Sequence, residues 1–375
     1  MARVTGKYRQ IRIDGKPAFA FIPHPLPPSN LPLSLDPKVK ETLLPEIERL
    51  TNQAALLAQT GLEIDSLNES LICKEAVLSS QIAAVRITLR DVLEFASPGS
   101  NKNEKQCQQV LDYIAAYKFA REQITRGGSL HIDRPMLEEV HRRLMIGGDA
   151  AEKNLSVGPE GVQLGPPPED AATELLNALQ RWLNSTNDLP PVVRAALAHG
   201  QFCLLRPLPG ANDRVARILT GLLLEYFKCG GGFFLCSSAS FKRRREEYQQ
   251  RLDAVRMQGD WEGWIVFYLE CLRDALQENI AAIQRIAARV NTHRKLLVDH
   301  DELTIPTMRL FSKLPKHPYI TLALALKLLD ATKPTASRAI DLLCRLEILR
   351  EITGQQRDRV YVYQSYVDIL AKDTE

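Results

Sequence analysis

The chain has 375 residues, 45% of them hydrophobic and 25% charged, with a formal net charge of +3. That mix excludes a disordered tail, a collagen and a small disulfide scaffold, and at about 100–200 residues per domain it predicts two or three domains. The small charge does not by itself imply a nucleic-acid partner, and no apolar run approaches the roughly 18 residues of a membrane helix.

The seven cysteines are scattered, with no C-x-x-C pair, so they encode neither a zinc site nor a disulfide framework. No metal site is expected. Reduced thiols, and a Met1-Ala2-Arg3-Val4-Thr5-Gly6-Lys7 start without an apolar core, predict a cytoplasmic protein with no membrane contact.

In chain order, residues 1–36 read as irregular, because His24-Pro25-Leu26-Pro27-Pro28 cannot hold a helix. Leu43, Ile47, Leu50, Ala54 and Leu57 recur at steps of three and four and predict a first helix. Leu78, Ile82, Val85, Leu89 and Val92 predict a second, ended by Pro98-Gly99. A third runs through Val110, Ile114, Tyr117 and Ile124 to Gly127-Gly128. Asp133 reads as an N-cap, with Pro135 in the first turn of a fourth. Val157-Gly158-Pro159-Glu160-Gly161-Val162 reads as a turn between two short strands.

Helices resume at about 169–184, 191–205 and 213–229, the last closed by a triple glycine. Two more follow. Asp260 should cap a long helix whose Trp261, Trp264, Tyr268 and Leu272 face the core. The last 75 residues change character. Ile320 to Leu329 reads as an apolar helix, Ala331 to Pro334 as a turn, Thr335 to Leu346 as a helix, and Ile348 to Tyr363 as a hairpin turning at Thr353-Gly354. That is the order of a winged helix-turn-helix.

Residues Arg206-Pro207-Leu208-Pro209-Gly210-Ala211-Asn212-Asp213-Arg214-Val215-Ala216-Arg217 resemble the signature His-Pro-Phe-x-(Asp or Glu)-Gly-Asn-Gly-Arg-x-x-Arg of the Fic/Doc (Fido) family of protein AMP-transferases. Lys74-Glu75-Ala76-Val77-Leu78-Ser79-Ser80-Gln81-Ile82 resembles the inhibitory helix that some members carry N-terminally. Gln163-Leu164-Gly165-Pro166-Pro167-Pro168 resembles the end of their target-docking flap.

The resemblance implies a mainly α fold: a Fic-type helical bundle with a small β-hairpin flap, plus a C-terminal winged helix-turn-helix. It divides the chain into an N-terminal Fic-associated region (1–103, inhibitory-type helix at about 71–95), a Fic core (104–270), a connecting helix (271–302) and the winged helix (303–375).

The resemblance also implies chemistry. ATP or another nucleotide would lie at a helix N-terminus whose N–H groups cradle phosphate. The family histidine draws a proton from a Ser, Thr or Tyr hydroxyl of a protein target, and the acid holds Mg²⁺. Asn212, Arg214 and Arg217 match the family's cofactor-binding positions.

The catalytic position holds Arg206, which stays protonated and cannot act as a base. That change alone predicts a loss of about 10²–10⁴ in rate. Gly210 offers Mg²⁺ no carboxylate. Asp213 would repel a phosphate by about 4 kcal/mol at an effective dielectric near 20. Ala83 stands where the inhibitory helix carries glutamate, so Ser79, Ser80 and Ala83 are what that helix offers the site.

Three readings stay open: a pseudo-enzyme acting in regulation, a transferase with altered chemistry, and a regulator sensing an anion through Arg206, Arg214 and Arg217. Residues 303–366 carry ten Lys/Arg and five Asp/Glu, which leaves the rest of the chain slightly acidic. That asymmetry favours DNA as partner of the winged helix, although such modules also dock proteins. Lys333, Thr335, Ser337 and Arg338 would meet DNA from the recognition helix, and Arg357 and Arg359 from the wing. His199 should serve structure, and Lys242 to Arg245 a solvated face. The oligomeric state, a homodimer included, is not encoded.

Overall fold

The structure is a computed structural model. It describes all residues except 1–2, 14, 29–32, 60–62, 96–102, 127, 147–163 and 187. The expected turn at 157–162, and with it the flap hairpin, lies outside the described residues.

The N-terminus is not irregular. Strands β1 (Gly6–Ile13) and β2 (Lys16–Pro23) form an antiparallel hairpin in which Ile13 pairs with Lys16. Gly15, just before β2, takes a left-handed φ of 78°, which glycine adopts without strain. His24 N donates to Thr5 O at 2.7 Å. By alternation, even-numbered β2 residues bond across the ladder. Pro17 and Pro23 fall between them and cost no ladder bond. Strand β5 (Leu164–Gly165) pairs in parallel with Phe19 and Ala20 on the far edge of β2.

A π-helical turn at Val39–Leu43 runs into α1 (Leu44–Ala58). The single helix expected over 71–95 is two helices, α2 (Ile64–Ile82) and α3 (Leu89–Phe95). α2 ends in a Schellman motif. Val85 N donates to Ser80 O, Ala84 N donates to Gln81 O, and Ala84 takes a φ of 66°. Thr88 then opens α3 with a capping box, exchanging hydrogen bonds with Asp91. Ala83 is therefore the last residue of a helix end, not a mid-helix position.

α4 (Glu104–Ile124) leads into a small hairpin, β3 (Thr125–Arg126) and β4 (Ser129–Leu130), then α5 (Arg134–Leu144). Asp133 caps α5 by accepting from Met136 N at 2.9 Å. α6 (Glu169–Asn184), α7 (Pro191–Leu205) and α8 (Asn212–Tyr226) follow, then α9 (Ser238–Arg243) and α10 (Arg245–Gln258).

The spine is α11 (Trp261–Val298), capped by Asp260 on Gly263 N and unbroken across the division drawn at 270/271. Trp261, Trp264, Tyr268 and Leu272 are all buried, as their spacing requires. Trp264 Nε1 donates to Ala196 O at 2.7 Å. A side chain at Gly200 would stand 2.8 Å from the same indole nitrogen, so glycine lets α7 and α11 meet.

The C-terminal unit runs α12 (Ile305–Lys313), β6 (Tyr319–Thr321), α13 (Leu322–Leu329), α14 (Lys333–Arg345), β7 (Arg350–Glu351), β8 (Val360–Val362) and α15 (Gln364–Leu370). Ile320 lies in a strand, not in the apolar helix, which starts after Thr321 caps Leu324 N. α14 starts at Lys333, with Pro334 in its first turn, where proline loses no bond. The sheet order is β6–β8–β7, all antiparallel. His293 of α11 bonds Tyr363 Oη at 2.9 Å, and Ser70 of α2 meets Tyr366 Oη at 3.3 Å, so this unit rests on the helical body.

Candidate functional site

The loop between α7 and α8 carries the signature residues. Arg206 ends α7 with φ 47°, and Ala211 begins α8 with φ 53°. Both take the left-handed conformation at a cost of about 1–2 kcal/mol each. Asn212 holds the loop closed. Its Oδ1 accepts from Leu208 N at 3.0 Å, and its Nδ2 donates to Leu208 O at 2.8 Å. Both ends of this buried amide are engaged within the loop.

Arg206 turns toward the head of α8, where its Nη1 stands 3.3 Å from Asp213 Oδ1. Asp213 sits in the first turn, where a carboxylate complements the helix dipole. The chain thus places its own anion where the resemblance expects a phosphate.

Arg214 and Arg217 are fully buried and point into the body. Arg214 Nη2 donates to Gln109 O of α4 at 3.3 Å. Arg217 reaches α2, where Nε donates to Ser79 Oγ at 2.7 Å and Nη2 to Ser79 O at 3.1 Å. Ser80 is also buried, and Ala83 is half-buried one turn beyond Ser79. The buried acid on this helix is Glu75, one turn before Ser79. It accepts from Ser238 N at 3.1 Å and from Ser238 Oγ at 2.5 Å. Burial pushes its pKa up to about 7 against the pull of those bonds and of the Arg217 charge.

His199 is held between Thr220 Oγ1 on Nδ1 and Tyr248 Oη at 2.8 Å on Nε2, and it stacks on Trp264 with centroids 5.6 Å apart. Burial first, and the Arg217 charge second, push its pKa down to about 3. It is a neutral packing residue at physiological pH.

Among the described residues, a Cβ at Gly210 would meet one atom, His141 Nε2, at 4.0 Å. No group of three His, Cys, Asp or Glu able to hold a metal occurs among the described residues. The cavity that Arg206 and Asp213 line with Phe21, Leu164 and Cys203 has a volume of about 30 Å³.

The other proposed contacts lie in the C-terminal unit. Lys333 and Arg338 are exposed on α14, while Thr335 and Ser337 beside them are half-buried. Thr335 Oγ1 lies 3.0 Å from Thr332 Oγ1. Arg357 and Arg359 are exposed between β7 and β8, with Arg359 Nε bonded to Gln355 O.

Sequence reasoning missed Glu75, Gln109 and His141. Glu75 alone left a signal, an acid four residues before Ser79. Gln109 contributes a backbone carbonyl, which no side-chain pattern reports.

Comparison with known proteins bears on the family and the fold. Residues 47–122 match the Fic/DOC family N-terminal profile and residues 131–224 match the Fic/DOC family profile. The chain belongs to the Fic/DOC family.

It is 27% identical over 195 residues to a protein named protein adenylyltransferase Fic from Drosophila mojavensis, covering 50% of this chain and 36% of that one. It is 28% identical over 140 residues to protein adenylyltransferase fic-1 of Caenorhabditis elegans, covering 36% and 27%. The chain thus spans about a third of these relatives. Among solved structures, a Fic family protein from Desulfovibrio desulfuricans G20 superposes with a TM-score of 0.55 at 20% identity, over 88% of this chain and 97% of that one. Fic-1 of Caenorhabditis elegans gives 0.51 at 20% identity, over 66% and 74%. These likenesses establish the fold. No helix among the described residues is long and apolar enough to cross a membrane.

Proposed function

We propose that this chain is a Fic-fold pseudo-enzyme that does not transfer AMP and acts in regulation, with its C-terminal unit serving as a DNA-binding winged helix. The observation that carries the first half is the Arg206–Asp213 pair, 3.3 Å apart at the head of α8. The guanidinium supplies no base. The carboxylate supplies the first turn with the negative charge that a phosphate would bring.

The residues present do not fit a magnesium-bound nucleotide. Residue 210 is glycine, and the cavity bounded by described residues holds about 30 Å³ where ligand sites commonly hold at least about 300 Å³. ATP, another nucleotide or a simple anion held without metal would have to displace Asp213 from Arg206.

The DNA reading rests on exposed Lys333 and Arg338 on one helix and Arg357 and Arg359 on the adjoining loop. Such residues contact phosphate from a recognition helix and a wing.

The test of the first half is transfer of label from radiolabelled ATP, with Mg²⁺ and a cell lysate as target pool. No label should reach lysate proteins or the chain itself. The competing reading is an active protein adenylyltransferase, which the names of the relatives favour. Mg²⁺-dependent labelling that Arg214→Ala abolishes would establish it. The test of the second half is duplex DNA binding by the full chain at several salt concentrations. Arg357→Gln with Arg359→Gln should lower the salt slope by about one per lost phosphate contact. Binding indifferent to salt would instead make the unit a protein-docking module.

A further inference from the structure

We propose that the cavity where α11 meets α12, α15 and the start of α2 binds an amphipathic carboxylate, a medium-length alkyl chain ending in a carboxyl group. This inference does not rest on the reading of the α8 site. The cavity has a volume of about 380 Å³, within the roughly 300–1,000 Å³ of small-molecule sites.

Its lining is divided by polarity. Leu67, Ile286, Phe311 and Tyr366 are buried residues that give it an apolar floor. The Tyr366 hydroxyl is engaged with Ser70 Oγ at 3.3 Å, which leaves its ring for the cavity. Ile286, Val290 and Arg294 recur every four residues and so share one face of α11. At about 1.5 Å per residue that stripe is about 12 Å long and ends in a charge. An alkyl chain laid along it reaches from Ile286 to the guanidinium.

The charge is available. Arg294 is exposed and has no ion-pair partner within 4.0 Å among the described residues. Glu63, the acid on the rim, accepts from Ser66 Oγ at 3.3 Å within its own helix start. A carboxylate, which Arg can hold in a bidentate pair, is therefore the head group that the site selects. The position gives the ligand consequence. One wall belongs to the helical body through α2 and α11, and the other to the C-terminal unit through α12 and α15. Occupancy would brace one against the other.

The experiment is titration calorimetry of the full chain with decanoate, below its micelle-forming concentration, beside decanol and decyltrimethylammonium. Decanoate should bind saturably at one site, decanol more weakly and the cation not at all. Arg294→Glu, a change at an exposed position that leaves the fold intact, should weaken decanoate at least tenfold and leave decanol within twofold. Ala287→Phe, which fills the cavity from its half-buried wall, should abolish both. A folded chain that binds decanoate no better than the cation, or in which Arg294→Glu has no effect, would overturn the proposal.

Discussion

Arg217 donates twice to Ser79, from Nε to the hydroxyl at 2.7 Å and from Nη2 to the carbonyl at 3.1 Å. A glutamate at residue 83 is absent, so this helix answers the buried guanidinium with a serine. Ser79→Ala removes one acceptor from a charge that cannot reach water. The unmet donor should cost about 1–3 kcal/mol. Urea unfolding at constant m-value reads the loss. A change inside the ±0.5 kcal/mol or so of an ordinary surface substitution would show that the two residues are not coupled.

The same helix end is gripped by the end of the described chain. Gln81 Nε2 donates to Thr374 O at 2.8 Å and to Ile87 O at 2.6 Å, while Gln81 Oε1 accepts from Lys242 at 2.7 Å. Lys242 also donates to Asp373 O at 3.0 Å, and Thr374 is fully buried. Residues 371–375 therefore hold the Schellman turn that follows Ser79. Gln81→Ala should raise amide exchange at Ala83, Ala84 and Val85 at least tenfold while leaving the amides of α14 unchanged. Uniform acceleration across the chain would mean global destabilisation instead of a local clamp.

What could be read from the sequence divides along physical lines. Helices announced by caps, such as those opened by Asp133 and Asp260, stand where the spacing puts them, because the signal is local. The break after Ala83 was hidden, since an alanine, not a glycine, takes the left-handed position at residue 84. The apolar spacing runs on unbroken to Val92, so it did not reveal the start that Thr88 and Asp91 give α3. The hairpin at 6–23 was masked by the proline-rich run His24 to Pro28 that follows it, although Asp14-Gly15 is a strong turn pair. At the site, Arg206, Asp213 and the two buried arginines were legible as residue types. Their partners were not: Ser238 lies 163 residues from Glu75, and Gln109 lies 105 from Arg214.

Burial of Glu75 makes stability depend on pH. Its pKa rises from an ordinary 4.5 to about 7, so the folded state binds more protons between those values. Its stabilising contribution is complete below about 4.5 and is lost as pH rises through about 7. His199 works the other way, falling from 6.5 to about 3, so its contribution holds above 6.5 and is lost as pH falls. Glu75→Gln should remove the first slope and leave the second, so that stability rises from pH 5 to 6.5 and then stays flat. An unchanged decline between pH 6.5 and 8 would place the titrating group elsewhere.

The last prediction concerns repair of the α8 site. Arg206→His returns a base of near-neutral pKa. Gly210→Asp starts from an open position, since a Cβ there would stand 4.0 Å from His141 Nε2 and no nearer to any other described residue. Ala211→Gly relieves a residue held at φ 53°, and Asp213→Gly removes the carboxylate that now occupies the head of the helix. Asn212 already closes the loop, while Arg214 and Arg217, now bonded to Gln109 O and to Ser79, would have to turn from those partners to meet a phosphate. Ala83 offers no carboxylate to oppose them.

The four changes together should yield Mg²⁺-dependent transfer of AMP to the chain or to a lysate protein, while each alone should yield none, because base, metal position and phosphate cradle act as a unit. Asp213→Gly alone should still show a first gain, measurable ATP binding by calorimetry, as the internal anion leaves Arg206. A folded quadruple variant that binds no ATP would show that the Arg206–Asp213 pair is a consequence of a closed pocket and not the cause of it.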